Sequence, residues 1–360
     1  MIKKKLMVKR ILNTPEVYYK KGAIACLKSI EATNLLLMVA RPVHESEYFA
    51  KVEKYTKEKT TLIESIDIIN QDQIIQLREK YTSTKLDAIV AIGGGSTLDP
   101  AKILRILLSH PELSFEDLKT NQFITDNHIK LVAIPTTPGT GSETTSVAVI
   151  YDAHGHKFPF TNQGFMPDMA ILDHAFLTTL PLDLLHVFGA DIFSHAAEGA
   201  LSMMSTPIMK SISSSSLDLL QLGFAQLHEN PTDVKALGNI MYAGYLAGIV
   251  QGNAYVGVGH ALAHSLEQQI KISHGAAILW VFKNVLGWYQ KQTDKPIYQE
   301  YLESWSSLGF EDYSSTIDPQ AIDIDQWATA TMQDPSISTS PIRFKQEQVI
   351  ELIQWILQHK

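Results

Sequence analysis

At 360 residues the chain exceeds the size at which one hydrophobic core usually stops growing, so its length predicts two domains. Hydrophobic residues make up 45% and charged residues 19%, which is typical of a soluble globular protein. The net charge of −8, with no compensating basic block, argues against nucleic acid or an anionic membrane as a partner.

Apolar runs and cysteine content indicate the cellular compartment in which the protein is expected. No apolar run has the length of a signal peptide core or of a membrane span. Cys26 is the only cysteine, so the chain forms no intrachain disulfide. A reducing cytoplasm is therefore the expected location.

The N-terminal half alternates short apolar runs with helical patterns. Residues 34–40 are a buried parallel strand that Pro42 stops, because proline has no N–H for the ladder. An exposed helix is predicted over 44–58, a strand over 61–66 and a helix over 71–84. This order predicts an α/β domain with a parallel sheet.

A glycine turn follows the next strand. Leu86–Ile92 is apolar throughout, Gly93–Ser96 form a turn, and Pro100 is expected to open a helix. Backbone N–H groups of such a turn approach a pyrophosphate closely, and the helix dipole favours its charge. A plain tight strand-to-helix turn is the alternative.

A second loop, 136–143, follows the predicted strand 130–135 and is rich in threonine and glycine. It either wraps a ligand or merely caps a helix. Two such loops at strand ends favour a ligand crevice. A hairpin is predicted near 147–158, with Lys157 on the return strand where it would face the cofactor, and a last strand over 166–173.

From about residue 182 onward the apolar spacing is helical. The predicted helices cover 182–202, 207–228, 232–250, 256–271, 276–292, 296–307, 321–332 and 345–358.

Two pairs in this half have metal-ligand spacing. Asp191 and His195 are four residues apart, as are His260 and His264, and His274 follows. Side chains at i and i+4 share one helix face, so a carboxylate and three imidazoles together suit Fe²⁺ or Zn²⁺. Each histidine taken singly would more often be a packed, hydrogen-bonded residue.

Four motifs resemble those of the iron-containing, or group III, alcohol dehydrogenase family. They are Gly93-Gly-Gly-Ser-Thr-Leu-Asp-Pro-Ala-Lys102, Pro135-Thr-Thr-Pro-Gly-Thr-Gly-Ser-Glu143, Gly189-Ala-Asp-Ile-Phe-Ser-His-Ala-Ala-Glu198, and His260-Ala-Leu-Ala-His264 with His274-Gly275. They occur in the family's order and spacing.

The resemblance implies a role for each matching residue. The implied metal ligands are Asp191, His195, His260 and His274, and the implied cofactor contacts are Gly94, Gly95, Ser96, Thr136, Thr137, Thr140 and Lys157. His264 matches a non-ligand histidine that would pass the proton to solvent.

The resemblance also implies the fold. Residues 1–180 would form a Rossmann-like α/β dinucleotide-binding domain with a parallel sheet, and residues 181–360 an all-helical metal-binding domain. The active site would lie between them, and the protein would be a homodimer.

The implied reaction is hydride transfer between NAD(P) and a small primary alcohol or aldehyde. Where many members have an aspartate that binds the adenosine ribose, this chain has Arg41, which favours NADP(H) over NAD(H).

Other departures from the pattern bear on the substrate. Glu267 replaces a glycine, Ser273 a proline and Ile278 an asparagine, and Lys271 and Arg343 would favour an anionic aldehyde. The alternatives are a Zn²⁺-dependent glycerol or polyol dehydrogenase, a non-redox dehydroquinate-synthase-like cyclase, and a metal-binding protein without catalysis.

Overall fold

The computed structural model describes residues 14–151, 157–310 and 317–359. The strands are β1 Glu16–Tyr19, β2 Asn34–Ala40, β3 Thr60–Ile66, β4 Ala88–Gly93, β5 Lys130–Pro135, β6 Val147–Tyr151, β7 Lys157–Thr161 and β8 Met169–Leu172. In this part of the chain, six strands form a parallel sheet in the order β1-β8-β5-β4-β2-β3. β6 and β7 form an antiparallel hairpin.

Helices separate the early strands and make up the later half. They are α1 Arg41–His44, α2 Glu47–Thr56, α3 Gln71–Tyr81, α4 Gly95–Ser109, α5 Phe115–Thr120, α6 Leu182–Leu201, α7 Pro207–Glu229, α8 Val234–Ala254, α9 Val258–Ile270, α10 His274–Gln292, α11 Pro296–Ser307, α12 Ile324–Gln333 and α13 Gln346–Gln358. Short 3₁₀ segments, among them Ala23–Ser29, His174–Thr179 and Pro335–Thr339, connect them. No helix among the described residues is both long and apolar enough to cross a bilayer.

The central strands are apolar on both faces because helices cover both sides of a parallel sheet. Leu35–Val39 of β2 and Ala88–Ile92 of β4 are fully buried. In the register of β4 with β5, Gly93 lies opposite Pro135. The two loops singled out in the sequence therefore leave the sheet side by side at its carboxyl edge.

The helices after the sheet surround a second core. Phe193 of α6 is fully buried and packs edge-to-face against Trp305 of α11, with ring centroids 5.2 Å apart. β8 ends at Leu172 and α6 begins at Leu182, so the change from sheet to helices lies between these residues. A domain boundary at 180/181 stays a prediction. The predicted fold class, a parallel α/β domain followed by helices, is confirmed.

The prediction that Pro100 opens the helix after the glycine turn is wrong. α4 begins five residues earlier, at Gly95, and Pro100 lies inside it. Proline there removes only one hydrogen bond near the helix start, and packing overrides that cost because residues 97–109 are all buried.

The predicted helix over 44–58 corresponds to α2, which begins after its N-cap Ser46, while the separate short helix α1 ends at His44. The prediction also omitted β1, the 3₁₀ segment Ala23–Ser29 and the six-residue α5. These elements are too short to show a hydrophobic period.

Candidate active site

Three helices bring four donor side chains to one point. Asp191 and His195 stand one turn apart on α6, His260 lies in the first turn of α9, and His274 is the first residue of α10. The Asp191 Oδ1 atom lies 3.6 Å from His195 Nε2, 3.7 Å from His260 Nε2 and 3.4 Å from His274 Nε2. The four predicted ligands thus lie around one carboxylate oxygen, and the donor atoms of Asp191, His195 and His260 all lie within 4.8 Å of one another. That these residues bind a metal stays a prediction.

The geometry fits a divalent metal ion. Donors held about 2.1 Å from a tetrahedral ion lie about 3.4 Å apart, close to these spacings. Asp191 Oδ1 and His260 Nε2 are buried and have no hydrogen-bond partner within the described part of the chain. Buried polar atoms without partners are costly, and a shared cation would satisfy both.

Glu198 orients the His260 ring. Its Oε2 atom lies 2.7 Å from His260 Nδ1, and its carboxylate also accepts the backbone N–H groups of Gly257 and Gly259. An ionised carboxylate only accepts, so Nδ1 carries the proton and the lone pair of Nε2 points toward Asp191. The sequence contains Glu198 in a motif but does not indicate this contact, because the two residues are 62 positions apart.

His264 lies beside the donor cluster and not within it. Its Nδ1 atom lies 2.9 Å from Asp334 Oδ2, and its ring stacks on His274 with centroids 5.2 Å apart. About a third of the side chain is exposed. The structure therefore separates His264 from the four donors, as predicted, and its role in proton transfer stays a prediction.

The cluster shifts the pKa of each member. Burial by itself would raise the pKa of Asp191, but the surrounding imidazoles hold it well below its usual value. Burial lowers the pKa of His195 to about 4. Burial opposes protonation of His274 as well, but the nearby carboxylates of Asp191 and Glu267 raise its pKa to about 10. A proton therefore competes with a cation for His274.

The glycine turn and the threonine loop pack against each other. A Cβ atom added to Gly94 would lie 2.9 Å from Thr137 Oγ1, and one added to Gly95 would lie 3.3 Å from Thr140 Cγ2. Gly94 is the N-cap of α4, and its own lack of a side chain leaves the helix start without a side-chain cap. Ser96 and Thr140 are exposed, while Thr136 is buried and its N–H bonds to the Gly93 carbonyl at 3.0 Å. The N-terminus of α4 thus has no side-chain cap, and such a helix N-terminus suits a pyrophosphate.

The threonine loop also reaches the helices that carry the donors. A Cβ atom on Gly139 would lie 3.2 Å from Asp191 Oδ2. Gly244 and Gly248 of α8 let the loop approach, since a Cβ atom on Gly244 would lie 1.8 Å from the Pro138 carbonyl oxygen. These glycines of α8 were not predicted as part of the site, although their four-residue period, which places them on one helix face, is visible in the sequence.

Arg41 and Lys157 are the remaining predicted cofactor residues. Arg41 begins α1 at the carboxyl end of β2, where its guanidinium forms a two-point ion pair with Asp67, and both side chains are more than half exposed. Lys157 begins β7 opposite Tyr151, and its side chain lies outside the described residues.

The sequence is similar to known alcohol dehydrogenases. It is 30% identical over 312 residues to the bifunctional aldehyde-alcohol dehydrogenase AdhE of Escherichia coli, covering 79% of this chain but only 35% of that protein. It is 29% identical over 270 residues to the NADPH-dependent butanol dehydrogenase of Clostridium saccharobutylicum, covering 73% of this chain and 69% of that protein.

Solved structures share the fold. An iron-containing alcohol dehydrogenase from Thermococcus thioreducens superposes with a TM-score of 0.87 at 21% identity, covering 98% of this chain and 100% of that one. A sulfoacetaldehyde reductase from Bifidobacterium kashiwanohense, solved with NAD⁺, gives 0.86 at 18% identity, again covering 98% and 100%.

Family models match both halves of the chain. The model described as iron-containing alcohol dehydrogenase matches residues 14–174, and the one for the C-terminal part of the Fe-containing alcohol dehydrogenase family matches residues 187–304. Neither the polyol dehydrogenase nor the cyclase alternative is favoured by these matches. The chain belongs to the iron-containing alcohol dehydrogenase family, a family of oxidoreductases.

Proposed function

We propose that the chain is a metal-dependent NAD(P)-linked alcohol dehydrogenase or aldehyde reductase. It would transfer a hydride between the nicotinamide and a small primary alcohol or aldehyde. The observation that carries the proposal is the contact between the two parts of the site. Gly139 belongs to the loop that packs on the glycine turn, and it also lies against the Asp191 carboxylate. A cofactor held by these loops would therefore lie next to the donor cluster.

In this proposal Asp191, His195, His260 and His274 hold Fe²⁺ or Zn²⁺. A divalent ion there supplies Lewis acidity toward the substrate oxygen. The backbone at Gly94 and Gly95 binds the pyrophosphate, and the threonine loop orients the nicotinamide.

His264 moves the proton in the proposed reaction. Burial would raise the pKa of Asp334, but the hydrogen bond from His264 holds it at about 2, so Asp334 is ionised at neutral pH. An ionised Asp334 keeps a proton on Nδ1 of His264. Nε2 of the same ring is then the atom that accepts a proton from the alcohol and releases it to solvent.

We propose NADP(H) as the preferred cofactor, with NAD(H) the alternative. Arg41 lies at the carboxyl end of β2, the strand next to β4 and its glycine turn. A 2′-phosphate would draw the guanidinium from Asp67, because the exposed ion pair is weak and a phosphate binds arginine at two points.

A substrate panel tests the proposed function. Protein metallated with Fe²⁺ or Zn²⁺ without oxygen is mixed with NADH or NADPH and a series of aldehydes. The series includes carboxylate, sulfonate and phosphonate derivatives, because Lys271 and Arg343 are exposed cations that favour anionic aldehydes. Loss of the reduced nicotinamide absorbance is expected with at least one aldehyde. Cofactor binding without turnover of any carbonyl would contradict the proposal.

A homodimer and a cytoplasmic location remain predictions. Light scattering on the purified chain measures the oligomeric mass, and a mass equal to that of one chain would rule out the homodimer.

A further inference from the structure

Glu267 is a buried carboxylate that contacts the candidate metal centre. It lies on α9, is 9% exposed, and its Oε1 atom lies 2.5 Å from Nδ1 of His274. The Nε2 atom on the other side of that ring faces Asp191 Oδ1 at 3.4 Å. Glu267 is therefore on the far side of a donor ring from the point where the donors converge.

The arrangement repeats the contact between Glu198 and His260. In both pairs a buried carboxylate accepts a hydrogen bond from Nδ1 of an imidazole whose Nε2 faces Asp191. His195 differs, since its Nδ1 atom has no hydrogen-bond partner within the residues that the structure describes. Two of the three donor rings, His260 and His274, are thus supported by a carboxylate. Glu198 belongs to a motif that resembles the family's, whereas Glu267 stands where that resemblance implies a glycine.

A carboxylate at Nδ1 changes what the imidazole does at Nε2. It fixes the tautomer and the ring orientation, and its negative charge increases the electron donation of Nε2. Resting on the proposed function, we propose that Glu267 is a positioning residue that acts through His274 to tighten divalent-metal binding by its charge as well as by its hydrogen bond.

Backbone contacts contribute to the connection between α9 and α10. The Lys271 N–H closes α9 on the Glu267 main-chain carbonyl, and the Ala277 N–H bonds to the Ser273 carbonyl in the first turn of α10. Lys271 itself takes the left-handed conformation, with φ of 53°, that turns the chain. The turn thus places Glu267, at the end of α9, next to His274, at the start of α10.

The experiment separates charge from hydrogen bonding. Glu267→Gln keeps an oxygen that accepts from Nδ1 but removes the charge, and Glu267→Ala removes both. Glu300→Gln is the control, because Glu300 is an exposed carboxylate on α11. Co²⁺ is the probe: its dissociation constant is measured by competition with a chelator, and its visible absorption reports the donor set.

After correction for proton competition, we expect Glu267→Gln to raise the Co²⁺ dissociation constant about tenfold and Glu267→Ala to raise it up to about 100-fold. The visible spectrum of both variants should shift, while Glu300→Gln should match the unmodified protein. A Glu267→Gln variant that binds Co²⁺ within twofold of the unmodified protein, with the same spectrum, overturns the role of the charge.

His260→Ala distinguishes this failure from failure of the proposed function. If His260→Ala binds Co²⁺ as well as the unmodified protein, the metal site itself is wrong. If His260→Ala loses Co²⁺ and Glu267→Gln does not, only the role of Glu267 is wrong. If Glu267→Ala does not fold, Glu267→Gln by itself tests the role of Glu267, because it only replaces a carboxylate oxygen with an amide group of nearly the same size.

Discussion

His260 has a defined environment at both ring nitrogens. Nδ1 lies 2.7 Å from Glu198, and Nε2 lies 3.7 Å from Asp191 in a buried position. The backbone N–H groups of Gly257 and Gly259 hold the same glutamate. The ring therefore cannot turn away from the cluster without breaking a buried, charge-assisted hydrogen bond.

Replacing His260 with alanine should abolish metal retention and turnover together. The variant loses one donor and leaves Glu198 buried with its side-chain partner removed. Metal content after dialysis and the rate of nicotinamide oxidation measure the two effects. His359→Ala is the control, because His359 is exposed at the end of α13. An active, metal-loaded His260→Ala variant would remove this residue from the ligand set.

Arg41 and Asp67 should set cofactor preference in opposite directions. Arg41→Ala removes the cation and should lower the ratio of kcat/KM for NADPH to that for NADH by about tenfold, the value of one charge-assisted hydrogen bond. Asp67→Asn frees the guanidinium and should raise the same ratio. Steady-state kinetics with both cofactors checks this, and an unchanged ratio in both variants would contradict it.

Metal affinity should increase with pH. Burial opposes protonation of both rings, but the carboxylates of Asp191 and Glu267 raise the pKa of His274 to about 10, and those of Asp191 and Glu198 raise the pKa of His260. A proton and a metal compete for the same Nε2 atom, so affinity is lowest where His274 is protonated, below its pKa. The dissociation constant should fall at least about tenfold per pH unit between about pH 6 and about pH 8.

Chelator competition in a pH series measures this slope, and a pH indicator measures the proton released on binding. His195 adds nothing in this range, because burial lowers its pKa to about 4. A dissociation constant that stays constant across the series would show that no proton is displaced.

At the scale of elements, α8 decides how closely the threonine loop approaches the helical part. Gly248 lies against Gly141, which has a φ of +60°, and against Thr144. The Gln251 side chain donates to the Thr140 carbonyl at 2.8 Å, one turn further along the same face. α8 thus contacts the threonine loop both through its backbone at Gly248 and through the Gln251 side chain. In the proposed function, this loop binds the cofactor.

Alanine at Gly248 should disturb this contact, and alanine at Gly252 should not. A Cβ atom on Gly248 would lie 2.4 Å from Thr144 Oγ1 and 2.8 Å from Gly141 Cα, so we expect a loss of about 1–3 kcal/mol. At Gly252 the nearest atom, Thr145 Cγ2, lies 3.3 Å away, and alanine's helix propensity offsets the contact by about 1 kcal/mol.

Thermal unfolding and cofactor titration compare the two variants. Gly248→Ala should unfold at a lower temperature and bind the nicotinamide cofactor more weakly, whereas Gly252→Ala should behave as the unmodified protein does. Equal behaviour of both variants would mean that the loop does not depend on this helix face.

At the scale of the whole molecule, the donor cluster brings together helices that are distant in sequence. α6, α9 and α10 each contribute donors, and the first and last of these donors are 83 residues apart. Two of the donor atoms, a carboxylate oxygen and an imidazole nitrogen, are buried and have no hydrogen-bond partner in the described part of the chain. The helical half should therefore depend on metal for part of its stability.

Removing the metal should lower the unfolding temperature, and restoring it should reverse the change. A ligand present at 100 times its dissociation constant stabilises the folded state by about 2.7 kcal/mol. Calorimetry before and after chelation, and after adding Zn²⁺, measures the effect. His260→Ala should show no response to Zn²⁺, and a full response in that variant would place the ion elsewhere.

Much of the fold could be predicted from the sequence because hydrophobic periodicity is a property of neighbouring residues. The helical period of the later half predicted α6, α7 and α11 within one residue of their observed bounds. The start of α4 was not readable, since tertiary burial overrode the local preference of Pro100. Short elements such as α5 were missed because six residues do not establish a period.

The same distinction between local signals and tertiary contacts applies to the site. The sequence alone determined the donor types, their i, i+4 spacing and the glycine-rich and threonine-rich loops, because these are properties of neighbouring residues. Only the tertiary structure decided that Glu198 supports His260, that Glu267 supports His274 and that Gly139 contacts Asp191. Such contacts arise when helices and loops from separate parts of the chain pack together, and no local period records which of them will meet.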